Sequence, residues 1–368
     1  MQPDILIISL RGDLHAHATR WALARQGVDT DFFVPSDFPQ RSQGTAHGLG
    51  TFRLKGPQLR GERYSTIWNR RSPDVQLDER LHEIDRELAA QTGRLFLRCF
   101  YDFHSSSAWV NEPDAAERLE RKVPQLLFAS QAGFRVPLTI VSNDLAEIRS
   151  FVGQGPPCVV KSTRPMSWAL DDQHVVLSTR RIEVEDLDDA VAVESCPLIY
   201  QHEVSKELEY RVVVFGSDVV CFEIDSQAVA GAELDWRVVD IGTLPIRQVA
   251  CPEELLSPLQ KFMRLSGAVH GSFDFIRGID GELYFLEVNQ QGQFLWLETF
   301  APESRLLDRM AHFLLSGGAR SFRYHPEPDP ALFAEYYDMG GLQEDLALAD
   351  ELHVQADYST GIDERTRA

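Results

Sequence analysis

Residues 4–10, DILIISL, are apolar at nearly every position, the pattern of a strand buried on both faces. Leu14, Ala18, Trp21, Ala22 and Leu23 then recur at helical spacing, Gly27 stands where a C-terminal cap belongs, and residues 28–35, VDTDFFVP, return as a strand. A strand, a helix and a second strand in this order predict a parallel sheet at the N-terminus. Two short strand-like runs follow in the Gly-, Arg- and Gln-rich segment 40–65, and residues 65–74, STIWNRRSPD, read as a strand entering a turn. Residues 77–96 predict a charged amphipathic helix. Residues 109–137 contain a Pro-Asp helix start and an amphipathic helix ending at Gly133, followed by the strand of RVPLTIVSND.

From residue 157 strands dominate. PCVVKS (157–162) and HVVLSTRRI (174–182) are strand-like, and the loop between them carries little glycine. Residues 196–226 predict a strand, a linker and a hairpin turning at Gly216-Ser217-Asp218. A helix over 251–269 leads to a second hairpin, GSFDFIRGIDGELYFLEVN, which turns at Asp280-Gly281; another helix follows in SRLLDRMAHFLL. Beyond about residue 325 the chain is acidic and weakly patterned, which predicts a partly helical or mobile appendage.

At 368 residues, two or three subdomains are expected. The net charge of -20 argues against a nucleic-acid or anionic-membrane partner, whose footprint is basic. Cys99, Cys158, Cys196, Cys221 and Cys251 are odd in number and form no CxxC pair, which fits reduced thiols and a cytoplasmic location. No apolar run approaches the length of a membrane span, and the N-terminal run is too short for a signal segment.

Candidate chemistry concentrates in the second hairpin. Alternation puts Glu287 and Asn289 on one face of its second strand, and the hairpin can bring Asp274 of its first strand beside them. Hard oxygen donors grouped in this way suit Mg²⁺, which completes its shell with phosphate oxygens and water. Polar residues also interrupt LYFLEV where an ordinary strand would carry Val or Thr. Lys161 ends the strand CVVK and Lys122 starts the helix KVPQLLFASQAG, so two cations are available to neutralise a polyphosphate. In LIYQHEVSKELEYR an apolar strand runs into a short linker, with Glu209 and Arg211 heading the next strand; a linker backbone can read an adenine edge, and Glu209 can accept from ribose hydroxyls. His15 and His17, two apart on a helix, point in different directions and are not read as metal ligands.

In this order and spacing the chain resembles the ATP-grasp fold: Lys122, Lys161, the YQHEV hinge with Glu209, then Asp274, Glu287 and Asn289. Within that fold, RKVPQLLFASQAGFRVPLTIVSND, ELDWRVVD, IWNRRSPD and GSFDFIRGIDGELYFLEVNQQGQFLWLE resemble the microviridin-type maturases that make graspetides, ribosomal peptides closed by side-chain ester or amide bonds. The resemblance covers roughly residues 3–320 and is most specific in GQFLWLE. It implies an α/β fold of α+β subdomains: an N-terminal parallel-sheet domain (1–118), a central subdomain (119–199), a C-terminal subdomain with the metal site (200–325) and an acidic tail (326–368). It further implies ATP and Mg²⁺ as cofactors. Lys122 and Lys161 would contact phosphate, Gln201, His202 and Val204 adenine, Glu209 ribose, and Asp274, Glu287 and Asn289 the metal; Arg211, Arg237 and Lys161 would act on the transferring phosphoryl group.

The chain departs from the family pattern at His202, where an acidic residue is common, and at Gln290, where proline usually follows the Asn. Phosphate cover by Ser162, Thr163 and Ser167 is a weaker expectation, since the loop 162–173 lacks the glycines of many lids. The implied activity joins an Asp or Glu carboxyl to a Thr or Ser hydroxyl or a Lys amine of a ribosomal precursor peptide, leader plus core, through an acyl phosphate. A homodimer is a further expectation. Leader recognition is expected in 162–195, and Arg70-Arg71 is read first as a strand-end feature and second as a contact for an acidic precursor. The hydroxyl and carboxyl residues of YSTGIDERTRA are read as part of an ordinary appendage rather than a fused substrate. Two other readings stay open: an ATP-grasp ligase of amino acids or of a protein C-terminus, and a non-catalytic nucleotide-dependent binding protein.

Overall fold

The computed structural model describes residues 4–48, 50–163, 167–170, 173–176 and 179–355. The first unit contains β1 (Ile5–Ile8), α1 (Leu14–Arg25), β2 (Thr30–Phe33), a two-stranded ribbon of β3 (Gln43–His47) and β4 (Thr51–Lys55), β5 (Thr66–Asn69), α2 (Glu83–Phe103) and β6 (Ala108–Val110). β2, β1, β5 and β6 form a parallel sheet in that order. The continuous apolar run of β1 is explained by its place inside this sheet: Ile7 packs into one core with α1 and Phe32, and Leu6 and Ile8 into another with Phe52, Leu97 and Phe100. Asp13 caps α1 by accepting from the Ala16 amide. Helix α2 begins six residues later than the charge pattern suggests, with His82 as its N-cap.

The Pro-Asp helix start and the helix expected to begin at Lys122 are separate elements, α3 (Pro113–Glu120) and α4 (Lys122–Ala132), because Arg121 is extended (φ -95°, ψ 121°). Pro124 accounts for the break. It has no N–H to donate one turn back, which an unbroken helix would require, yet it is tolerated in the first turn of a new one. The break makes Lys122 a helix-starting residue.

The second unit holds β7 (Thr139–Ser142), α5 (Leu145–Gly153), β8 (Cys158–Lys161), β9 (Ser167–Leu170), β10 (Gln173–Val176), β11 (Arg180–Ile182), α6 (Ala190–Ser195) and β12 (Leu198–His202). Its antiparallel sheet runs β11-β8-β12-β7 over a small core of Ile148, Val160, Leu187 and Tyr200.

The third unit holds β13 (Lys206–Phe215), β14 (Asp218–Ile224), β15 (Ile246–Val249), α7 (Glu253–Ser266), β16 (His270–Gly278), β17 (Leu283–Asn289), α8 (Leu295–Glu298) and α9 (Leu306–Leu315). The antiparallel order is β15-β14-β13-β16-β17. One face of this sheet sends Tyr210, Val212, Phe273, Phe275, Phe285 and Val288 against α4 and α7. From the other face, Val213, Phe215, Val220 and Phe222 enter the core shared with α1 and α9.

The acidic C-terminal region is a packed element rather than a loose appendage. It forms α10 (Phe333–Asp338) and α11 (Gly341–Leu352), and Ala331, Phe333 and Tyr336 are buried in the core that contains α1. His353 Nδ1 lies 2.6 Å from Asp37 Oδ2, and the Val354 amide donates to Asp37 Oδ1 at 2.8 Å. The weak helical pattern reflects this two-sided environment: apolar positions face α1, while Asp345 and Asp350 meet Tyr336 and Arg11. The segment YSTGIDERTRA lies outside the described residues.

Candidate active site

Register assembles the charged cluster. On β13, β16 and β17 of the third sheet Arg211 stands opposite Asp274, Asp274 opposite Glu287, and Ser272 opposite Asn289. Their neighbours Tyr210, Phe273 and Val288 point into the core, so alternation aims Arg211, Asp274, Glu287 and Asn289 to the other face. A register shift after Asp274 marks a bulge in β17, which places Glu287 rather than Leu286 beside the aspartate.

The ion pairs in this cluster are close. Arg211 Nη1 donates to both Asp274 oxygens, at 2.8 and 2.7 Å, and Nη2 donates to the Gln293 carbonyl at 3.0 Å. Lys122 Nζ reaches Glu287 Oε2 at 2.5 Å from the first turn of α4. Arg237 Nη1 lies 3.6 Å from Glu287 Oε1, while its Nε and Nη2 bind the carboxylate of Asp235 at 2.8 and 2.9 Å. The Lys122 charge, with further help from Arg237 and Lys161, overcomes burial and holds the Glu287 carboxyl well below the usual range. Burial pushes the Asp274 carboxyl up; Arg211 opposes the shift and Glu287 adds to it.

Lys161 approaches from the second sheet. Its ammonium donates to Gln201 Oε1 at 2.8 Å, and Gln201 Nε2 in turn donates to Thr139 Oγ1 at 2.8 Å. Burial brings the Lys161 pKa down to about 8, with Glu287 opposing and Arg237 adding to the shift. Lys161 of the second sheet thus lies within electrostatic reach of Glu287, Arg237 and Lys122.

Glu209, buried, accepts at one oxygen from Lys206 Nζ and from Ser226 Oγ, both at 2.7 Å. His202 is not brought to the charged cluster: its ring stacks on Phe151 with centroids 4.5 Å apart, and its amide donates to the Leu138 carbonyl. Val204 lies on the hinge between β12 and β13, where a cavity of about 350 Å³ is lined by Pro137, Leu138, Glu203, Val204, Ile279 and Tyr284, among others. None of the lysines or carboxylates of the cluster lines this cavity, so it belongs to the hinge and the hairpin tip.

Asn289 Oδ1 accepts from the Gln291 amide at 3.0 Å, which orients the side chain. Two carboxylates and an amide oxygen on one face supply the hard donor set that Mg²⁺ takes, so the residues present fit that ion. Among the described residues no group of three or more His, Cys, Asp and Glu is gathered for a metal, a set of residue types that leaves Asn289 out.

Of the remaining sequence features, Arg70 is fully buried and its Nη1 donates to the Gln291 carbonyl at 2.7 Å. Arg70 and Arg71 both lie 3.5 Å from Asp13, so the strand-end reading of this pair holds. His15 Nε2 accepts from the amides of Phe294 and Leu295, fixing the loop after Asn289. Asp235 escaped the sequence reading, although its place two residues before Arg237 was a signal. Ser162 and Thr163 are described, but parts of the loop that follows them and of the expected leader-binding region (164–166, 171–172, 177–178) lie outside the described residues.

No protein-family model and no curated relative matches the chain. Solved structures do. An ATP-grasp ligase from Chryseobacterium gregarium, associated with ribosomal-peptide modification and solved with ADP, a leader and a core peptide, superposes with a TM-score of 0.73 at 25% identity over 88% of this chain and 100% of that one. The chain has the ATP-grasp ligase fold of the graspetide-type maturases. Macrocyclase MdnB from Microcystis aeruginosa is similar at 27% identity, with a TM-score of 0.70 over 84% of this chain and 98% of that one. Macrocyclase MdnC of the same organism, bound to its precursor peptide, shares the fold with a TM-score of 0.72 at 24% identity over 85% of this chain and 99% of that one. All three of these structures cover more than four-fifths of the chain.

Proposed function

We propose that this ligase uses ATP and Mg²⁺ to close side-chain ester or amide bonds in a ribosomal precursor peptide. The observation that carries the reading is the convergence of Lys122 and Lys161 on the acidic strands from two different elements, with Asp274, Glu287 and Asn289 on one face. In this reading Lys122 and Lys161 bind nucleotide phosphates. The hinge backbone at Gln201–Val204 meets adenine, Glu209 holds the ribose, and Asp274, Glu287 and Asn289 hold Mg²⁺. Held there, the ion would neutralise phosphate charge.

The chain's own part in the reaction is positioning and charge. A substrate carboxylate takes the γ-phosphoryl group of ATP, giving ADP and an acyl phosphate, and a hydroxyl or amine of the same peptide then displaces phosphate. Arg211 and Arg237 are cations placed to stabilise the negative charge of that transfer, each anchored by a carboxylate, Asp274 and Asp235. Holding two side chains of one peptide together is the larger contribution, because it makes ring closure intramolecular. The same reading takes the protein as cytoplasmic and a homodimer; no described helix is long and apolar enough to cross a membrane.

The test is incubation with a precursor peptide rich in Thr, Ser or Lys and in Asp or Glu, with ATP and Mg²⁺. Loss of one water per ring, with one ADP released for each, supports the reading. Joining of free amino acids without peptide dehydration contradicts it.

A further inference from the structure

Among the described residues β17 is the outer strand of its sheet, and its outer edge meets only an isolated bridge at Arg135, where the Phe285 amide donates to the Arg135 carbonyl. On that edge lie the N–H and C=O of Val288, the residue between Glu287 and Asn289. Gln125 satisfies both: its Nε2 donates to the Val288 carbonyl at 2.9 Å, and the Val288 amide donates to Gln125 Oε1 at 3.0 Å. The same Nε2 also donates to the Leu119 carbonyl at the end of α3. The side chain is almost completely buried, and it sits one turn after Lys122 on the helix whose first residue meets Glu287.

From this we infer that Gln125 is a positioning residue for the metal donors, locking the peptide between Glu287 and Asn289 to the helix that carries Lys122. The inference rests on the reading of Glu287 and Asn289 as donors to Mg²⁺. A primary amide presents one donor and one acceptor side by side, as a neighbouring strand residue would, so it pairs with a single edge residue without needing a strand. The consequence is local. An edge residue free to twist would swing the side chains before and after it, and Mg²⁺ demands near-ideal placement of its oxygens. Gln125 removes that freedom where both donors depend on it. It also sets the distance between a phosphate-binding lysine and the metal strand, since one helical turn carries both contacts.

The experiment measures ADP affinity of the full chain by calorimetry, with Mg²⁺ and with a chelator, and takes the ratio. Gln125→Met removes both bonds while keeping the side-chain length. Gln125→Glu keeps the acceptor and loses the donor. Leu283→Ala weakens the same strand away from the donors and serves as the stability control. The expected result is a loss of about tenfold in the Mg²⁺-dependent ratio for Gln125→Met, the size typical of lost support behind metal ligands, with ADP affinity in chelator within about twofold of wild type. Amide exchange at Val288 should also accelerate. Leu283→Ala should lower the thermal midpoint and keep the ratio. A wild-type ratio in Gln125→Met, or an equal loss in Leu283→Ala, overturns the inference. If Gln125→Met does not fold, Gln125→Glu is judged by the same ratio. A wild-type protein whose ADP affinity ignores Mg²⁺ removes the metal reading itself, a result distinct from a normal wild-type ratio that the variants leave unchanged.

Discussion

Lys122 Nζ and Glu287 Oε2 lie 2.5 Å apart, joining the first turn of α4 to the outer strand of the third sheet. In the proposed reading, the lysine assigned to phosphate thus rests on the carboxylate assigned to Mg²⁺, each supplying the charge that the other would meet when ion and nucleotide bind. Replacing Glu287 by Gln leaves Lys122 and Arg237 without that counter-charge. The expected outcome is a loss of at least about 100-fold in ATP turnover, in the range seen when a group stabilising transferred charge is removed. ADP binding in chelator should be unchanged or tighter, because the anion no longer competes with a carboxylate. Turnover and calorimetry on the same preparation check both parts.

Lys161 gives a pH dependence. Burial sets its pKa at about 8, so the ammonium prevails below that value and is lost above it. Bound phosphate favours the charged form, so nucleotide binding should weaken as pH rises from 7 to 9 and should take up protons near pH 8. Arginine stays charged across this range, so Lys161→Arg should flatten the profile. Calorimetry in buffers of different ionisation enthalpy measures the proton uptake directly.

Glu298 lies within the GQFLWLE stretch but serves the fold. Its carboxyl accepts from the Leu307 amide at 2.8 Å and the Phe333 amide at 2.6 Å, tying α8 to α9 and α10. Burial raises its pKa to about 7, against the pull of those amides. The folded state therefore holds a proton that the unfolded chain releases near its ordinary pKa of 4.5. Its contribution to stability is fully present below about 4.5 and declines as pH rises through about 7. Glu298→Gln should remove that slope from the stability profile in urea titrations between pH 5 and 8, at the cost of one backbone bond.

The C-terminal helices make a stability prediction. Tyr336 is buried against α1, with its hydroxyl 2.7 Å from Asp345. Tyr336→Ala should cost about 3 kcal/mol, as large-to-small changes in cores do. Ending the chain at residue 329 should cost more, since it also strips Phe333 and the His353–Asp37 contact. Thermal unfolding of both variants reads the effect.

Much of this was legible in the sequence, because period and spacing carry it. The parallel strand at 5–8, both hairpin turns, and Glu287 and Asn289 on one face followed from alternation and turn chemistry, whereas the bulge that sets Glu287 beside Asp274 did not show in the pattern. What stayed hidden depended on contacts distant in sequence. Gln125 reads as an ordinary polar helix position until β17 is beside it. The tail looked unpatterned because its apolar residues meet α1, more than three hundred positions earlier. The family resemblance ties His202 to adenine; in the structure its ring stacks on Phe151 and the residue lines the hinge cavity.

The most direct measurement is intact-mass analysis of a precursor peptide after incubation with this protein, ATP and Mg²⁺. The expected result is a loss of about 18 Da for each ring, matched by ADP and phosphate release and abolished in Glu287→Gln. An unmodified peptide accompanied by ligation of free amino acids, or by no ADP release under any condition, would contradict the account.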